Sequence, residues 1–226
     1  MRIIAGSAGG IPVKVPQSGT RPTTDRVREA VFSMLGESVI EAKVLDLFAG
    51  SGGMGLEALS RGEAQATFVE QQGQAASIIQ ENLTRSRLPN GQIVKADVFA
   101  ALRRFAESAT RFDVIFADPP YAKKPGDVDL GAKLLEDKSL RSVLVPGGIF
   151  VLESMVTKGS GSAIAGWDVI RDRAYGSTRI LILQLPTPND GAIPGAAALQ
   201  SSPATDAAGH GAESLEEDEG TRGEGG

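Results

Sequence analysis

The 226-residue chain has no cysteine and one histidine, His210. Without thiols it can form no disulfide, no zinc–thiolate site and no cysteine nucleophile. Histidine base chemistry and a histidine metal cluster are equally disfavoured, because the one imidazole lies in a Gly-, Ala- and Glu-rich tail. No metal site is expected. No apolar run is long enough to span a bilayer. The start, Met1 to Gly6, has no signal-peptide hydrophobic region, so the expectation is a cytoplasmic protein without membrane contact.

What is present suffices for one sizeable core: 41% of residues are hydrophobic. The net charge of −5 is unevenly spread. Residues 187–226 carry eight of the 28 acids and one of the 23 Lys and Arg residues, which leaves residues 1–186 at +2. Residues 1–35 alone are at +3. A mildly basic body is compatible with RNA without demanding it. The tail, poor in aliphatic periodicity, is expected to be a disordered acidic segment over 187–226.

Along the body, Arg2–Ala5 and Ile11–Val15 read as the arms of a hairpin. Arg21 to Asp25 makes a turn with helix-capping residues. The helix that follows shows an apolar face of Val27, Ala30, Val31, Met34 and Leu35, and places Arg26, Arg28 and Glu29 elsewhere. From Lys43 onward strands and helices alternate. Strands are predicted at Val44–Phe48, Ala66–Val69, Ile93–Val94, Phe112–Ala117 and Gly148–Leu152, and a closing hairpin at Trp167–Arg173 and Arg179–Leu185. Helices are predicted through about Ser60, over Gly73–Thr84, after Asp97 and around Leu130–Glu136. This is an α/β pattern, a Rossmann-like, mostly parallel sheet with an antiparallel edge hairpin at its C-terminal end. It divides the chain into an N-terminal hairpin and helix (1–36), a main domain (37–186) and the tail.

Four motifs carry chemistry. Gly50, Gly52 and Gly55 form G-x-G-x-x-G between a strand and a helix, a pattern shared by many nucleoside sites. Asp46 at that strand's end is a poor neighbour for a pyrophosphate. It suits a ligand bearing an ammonium, such as the methionine part of S-adenosylmethionine; it also reads as a simple helix-proximal cap. Glu70 ends the next strand, 20 residues past Gly50, where an acid can accept from both ribose hydroxyls. Asp97 and Val98 suit an adenine amino group and ring face, and Asp97 reads equally as a helix N-cap. Phe48 and Gln71 complete the candidate cofactor set of Asp46, Phe48, Gly50, Gly52, Glu70, Gln71, Asp97 and Val98.

The fourth motif is Asp118-Pro119-Pro120-Tyr121, directly after a strand. The lone pair of an exocyclic amino nitrogen is delocalised into its base. Asp118 and the Pro119 carbonyl can accept its two N–H bonds and favour a pyramidal nitrogen with the lone pair aimed at a methyl donor. The prolines stiffen the backbone that presents those acceptors. Tyr121 can stack on an extruded base, worth about 1–3 kcal/mol. Amino-group methylation needs neither cysteine nor histidine, whereas methylation at cytosine C5 needs the missing cysteine. Arg2, Arg21, Thr23, Arg26 and Lys123 are the candidate RNA contacts, and Arg28 and Lys124 are further basic candidates. Each of these charges, taken singly, also reads as solvated surface. Glu153, after the fifth strand, reads as structural or as a polar lining residue.

On Arg21-Pro22-Thr23-Thr24-Asp25-Arg26-Val27-Arg28-Glu29, the glycine loop from Asp46, Asp118 to Tyr121, and Tyr175-Gly176, the sequence resembles a bacterial family. This is the 16S ribosomal RNA (guanine(966)-N2)-methyltransferases. The similarity spans Arg2 to Gln184. It implies a class I S-adenosylmethionine-dependent fold and a hairpin that helps hold ribosomal RNA. It also implies an acceptor tetrad for the guanine amino group and a substrate in the 30S subunit or its assembly intermediate; the oligomeric state stays open, with a monomer the default for this architecture. Two departures stand out: the loop Ser7 to Gly10 lacks the family's usual basic residues, and Ser177 replaces a common aspartate. Adenine-N6 or cytosine-N4 methylation uses the same tetrad chemistry. Residues 1–20 and 122–142 are small for a DNA-reading module, which favours RNA. A protein-glutamine methylase would usually present Asn at Asp118, and a non-catalytic assembly factor would be expected to lose these motifs.

Overall fold

The computed structural model describes residues 1–16, 24–62, 65–122, 126–156 and 164–186. Residues Met1–Pro188 form one compact unit. The expected disordered tail lies outside the described residues, as do Arg21, Thr23, Lys123 and Lys124.

Helix α1, Asp25–Leu35, starts where the Thr24 hydroxyl accepts from the Val27 N–H at 3.3 Å. It stops at Gly36, whose φ of +53° breaks helical geometry. Then follow β1 (Lys43–Leu47), α2 (Gly53–Gly62), β2 (Gln65–Val69), α3 (Gly73–Ser86), β3 (Gly91–Val94), α4 (Val98–Glu107) and β4 (Phe112–Ala117). The chain continues through α5 (Leu130–Glu136), α6 (Lys138–Val143), β5 (Leu144–Met155), β6 (Asp168–Tyr175) and β7 (Thr178–Gln184).

The seven strands lie in the order β3-β2-β1-β4-β5-β7-β6. The pairs among β3, β2, β1, β4 and β5 are parallel, and β7 runs antiparallel to both β5 and β6. Strand alternation sends Val44, Phe68, Val114 and Phe116 to one face, against α1, α2 and α3. Leu45, Leu47, Ile115 and Phe150 go to the other, against α4, α5 and α6. Both faces are covered, so the central strands are nearly all apolar. This is the Rossmann-like class I architecture expected from the sequence.

Three local expectations are corrected. The N-terminal hairpin is not a ladder of strands. Its arms share one bridge, Arg2 to Pro12, and backbone bonds such as Ile3 N–H to Ile11 O at 3.0 Å. Pro12 has no N–H to extend the ladder. The loop instead seats on α2, where an added Cβ at Gly6 would lie 1.8 Å from Ser60 O. Strand β5 begins at Leu144, not Gly148, because Pro146-Gly147-Gly148 is absorbed as a register shift within the strand. Helix α6 was not expected; Asp137 ends α5 and caps the next helix, accepting from Leu140 N–H at 2.8 Å.

Candidate active site

The carboxyl ends of β1, β2 and β4 open on one cavity of about 420 Å³, a size suited to a nucleoside-sized ligand. Asp46, Phe48, Gly50, Glu70, Gln71, Asp97, Val98, Asp118 and Pro120 all line it. The fold thus brings together the three candidate cofactor segments and half of the candidate acceptor tetrad.

Each strand-end acid is fixed by backbone. Asp46 is buried and accepts from Gly55 N–H at 2.9 Å. Burial lifts its carboxyl to about 7, with nearby Glu70 adding to the rise and the Gly55 N–H opposing it. Glu70 is also buried; its two oxygens accept from Gly50 N–H at 2.9 Å and Gln72 N–H at 2.7 Å. Asp97 caps α4 through Ala100 N–H at 3.0 Å, the cap reading of this residue, and also lines the cavity.

The glycines divide their labour. Gly50 has φ +55° and lines the cavity; a Cβ there would meet no protein atom nearer than Phe48 O at 3.9 Å and would take ligand space instead. Gly52 does not line the cavity. Its φ is +82°, and an added Cβ would press Phe68 at 3.2 Å, so it serves the turn and the packing. Gly55 lets α2 rest on the Phe68 ring, 2.3 Å from where a Cβ would be. Phe48 adopts φ +56°, a left-handed conformation rare for a bulky residue and a mark of strain held at a site.

Pro119 is buried and does not line the cavity, and neither does Tyr121. The Tyr121 hydroxyl donates to Glu153 Oε1 at 3.2 Å. Burial raises the phenol above its ordinary value, and the charges of Glu153 and Asp118 raise it further, so it stays a protonated donor. Glu153 therefore fixes the ring that was expected to stack. Asp118 and Glu153 also share a small apolar cleft with Val31, Met54, Phe116 and Ile180.

A further part of the cavity wall comes from the N-terminus and was not foreseen. Met1, Val15, Pro16 and Arg28 line the cavity. Arg28 is 1% exposed, which corrects both its reading as an RNA phosphate contact and its alternative reading as solvated surface charge. Glu57, fully buried on α2, accepts from Ile4 N–H at 2.7 Å and Ala5 N–H at 3.1 Å and pairs with Arg61 at 2.8 Å. Asn82 on α3 donates to Ser51 O at 3.0 Å and exchanges bonds with Lys14 at 2.9 Å, joining the glycine loop to the N-terminal segment. Arg2 and Arg26 are exposed. Among the described residues no acid or imidazole cluster could hold a metal ion. No helix among them is long and apolar enough to cross a membrane.

The family model described as "Conserved hypothetical protein 95" matches residues 1–184. "Ribosomal RNA small subunit methyltransferase D" of Escherichia coli (strain K12) is 35% identical over 185 residues, covering 81% of this chain and 89% of that protein. The solved structure of a hypothetical protein from Thermus thermophilus superposes with a TM-score of 0.68 at 33% identity, over 82% of this chain and 99% of that one. TrmN from the same organism, at 22% identity and TM-score 0.57 over 71% of this chain and 48% of that one, shares the fold. All of the site residues lie inside the span that the family model matches, and the chain belongs to that family, the family of the small-subunit ribosomal RNA methyltransferase D proteins.

Proposed function

We propose that this chain transfers a methyl group from S-adenosylmethionine to the exocyclic N2 amino group of a guanine in 16S ribosomal RNA. Its substrate is the 30S subunit or an assembly intermediate, met as a monomer in the cytoplasm. The observation that carries the reading is that Asp118 and Pro120 open on the same cavity as Asp46, Glu70, Asp97 and Val98.

The residues present fit the cofactor. When bound, it supplies a methyl group on a positively charged sulfur. Asp46 faces the α-ammonium, which restores its ionised form. Glu70 retains lone pairs beyond its two backbone bonds and accepts from the ribose hydroxyls. Val98 packs on the adenine ring and Asp97 accepts from its amino group. Gln71 and Phe48 close the sides, and Gly50 leaves room for backbone contact.

At the carboxyl end of β4, Asp118 accepts one N–H of the guanine amino group, and the carbonyl of Pro119, set back from the cavity lining, is the acceptor for the other. The nitrogen lone pair then points along the line of transfer. Asp118 holds the proton that the nitrogen loses. Pro120 keeps the turn rigid, and Tyr121, anchored by Glu153, stacks on the base once Asp118 has engaged it. Alignment and electrostatics at the reacting nitrogen supply the rate. Arg2 and Arg26, with Arg21, Thr23 and Lys123, contact the RNA backbone, so residues 1–36 serve as the RNA-facing part and 37–186 as the catalytic domain.

The test offers labelled S-adenosylmethionine with unmethylated 30S subunits and with naked 16S RNA, followed by nucleoside mass spectrometry. N2-methylguanosine at one site is the expected product. Methyladenosine or methylcytidine, or no transfer to either substrate, overturns the guanine assignment.

A further inference from the structure

Asp118 and Glu153 stand side by side. Ala117 of β4 pairs with Leu152 of β5, and each acid is the next residue in the chain. Neighbouring strands lie about 4.8 Å apart. Strand alternation turns both acids to the face that carries Phe116, Val151 and Ile180. There they line one narrow cleft with those three residues and with Val31 on α1 and Met54 on α2. Glu153 is buried, and its Oε1 accepts from the Tyr121 hydroxyl at 3.2 Å. A phenol is held as well by a neutral amide. A second acid beside Asp118 costs more, because like charges opposite one another on neighbouring strands repel, the more so among apolar side chains.

Two features say what offsets that cost. The cleft and the large cavity meet at Asp118 and Met54, which line both. A base whose amino nitrogen sits at Asp118, facing a methyl donor in the cavity, therefore has its ring on the side of the cleft, toward Glu153. The second feature is the chemistry of the base edge, by which a flipped base is read. Guanine offers two kinds of donor in a row, the 2-amino group and N1–H. Adenine and cytosine place a bare ring nitrogen next to their amino group, and its lone pair is repelled by a carboxylate. The cleft, at about 10 Å³, has room for about one water. The ring thus stays at its mouth, against Tyr121, and only the edge meets the acids.

We propose that Glu153 accepts the N1–H of the target guanine while Asp118 accepts from its 2-amino group, so that the pair selects guanine over adenine and cytosine. The inference rests on the methyl-transfer reading above and adds to it the group that chooses the base. A carboxylate has about four lone-pair sites, enough to hold Tyr121 and a base at once. Bonds from the base to both acids are charge-assisted, and the apolar walls of the cleft strengthen them.

The test compares guanine with 2-aminopurine, which keeps the 2-amino group but has a lone pair at N1 and no 6-oxygen. Either base is placed at the methylated position of 16S RNA by splinted ligation, and the RNA is assembled into 30S subunits. Transfer of labelled methyl is measured as kcat/KM. The unaltered protein should use the 2-aminopurine subunits about ten- to a hundredfold less well, the range for a charged acceptor left unmet. Glu153→Gln keeps an acceptor for Tyr121 and adds an amide donor for N1. It should bring that ratio toward unity, mainly by losing activity on guanine, whereas loss of a 6-oxygen contact would leave the ratio as it was. Tyr121→Phe removes the hydroxyl that Glu153 holds; it should slow transfer to both bases and keep the ratio. A Glu153→Gln protein with the unaltered ratio means that Glu153 only holds Tyr121, and overturns the inference. Equal use of the two bases by the unaltered protein overturns it without any substitution, as does loss of the preference in Tyr121→Phe. Where Glu153→Gln does not fold, the preference and its survival in Tyr121→Phe are the supporting result. All of these outcomes leave the methyl-transfer reading standing. No transfer to guanine subunits by the unaltered protein overturns both.

Discussion

At the ends of β1 and β2, Asp46 and Glu70 are held by backbone N–H groups of their own neighbourhood, Gly55, Gly50 and Gln72. Elsewhere on the lining, Arg28 is held by Asp25 on its own helix and by groups from distant parts of the chain, the Arg2 carbonyl and Glu57 on another helix. The first wall is local and follows wherever the strand–loop–helix unit forms. The second exists only once Met1 to Pro16 has docked, through Glu57, Ser60 and Asn82, onto α2 and α3. One wall is part of the fold's framework, and the other is a tertiary attachment completed by a single buried carboxylate.

The comparison breaks most sharply at that carboxylate. Glu57→Ala leaves Arg28 without its buried counter-charge and two N–H groups without acceptors. It should cost about 3–5 kcal/mol of stability. Urea unfolding checks this, and a loss below about 1 kcal/mol would mean the second wall is held by packing alone. Asp118→Ala, on the first wall, should leave the melting temperature near its original value and lower methyl transfer by about 10²–10³-fold. Unchanged cofactor affinity in the same protein would separate acceptor from cofactor functions; unchanged turnover would remove Asp118 from the chemistry.

Glu70→Ala should weaken S-adenosylhomocysteine binding by about ten- to a hundredfold, because it removes the proposed ribose acceptor and releases Gly50 N–H. An unaltered dissociation constant contradicts the ribose role. The smallest effect is one of pH. Asp46 has a carboxyl near 7 when buried, and it must ionise to meet an ammonium. Affinity for S-adenosylhomocysteine should therefore rise up to about tenfold per unit as pH increases toward 7 and level off above it. Asp46→Asn should flatten that profile. The same raised value makes Asp46 a stability cost that grows between its unfolded value of 3.8 and about 7, with the folded form most favoured below that window.

The first wall was legible in the sequence because its determinants are short-range: apolar strand, acid, glycines, helix. The second was not. Helical spacing pointed to Val27, Ala30, Val31, Met34 and Leu35, but the buried face is Val27, Arg28, Val31, Phe32 and Leu35. Arg28 falls at i, i+3, i+4 and i+7 with Val31, Phe32 and Leu35, a position that its charge alone would send to water. Glu57 and Asn82 were hidden for the same reason: the partner that justifies burying each lies about 50 to 70 residues away. Tyr121 was found by its motif, but its tether to Glu153 joins the ends of two neighbouring strands, a contact visible only once β4 and β5 pair.

The order of strands also bears on edge-to-edge pairing. Among the described residues β3 and β6 are the edge strands of the sheet, and an unpaired strand edge is a template for a second copy. Strand β3 is only four residues long. Strand β6 is longer, but its exposed positions include Asp168, Arg171 and Arg173, and its register slips between Val169 and Arg171. A copy arriving edge to edge would have to desolvate those charges along a line already bent out of step. The charges and the slipped register of β6 thus raise the cost of edge-to-edge pairing along this strand.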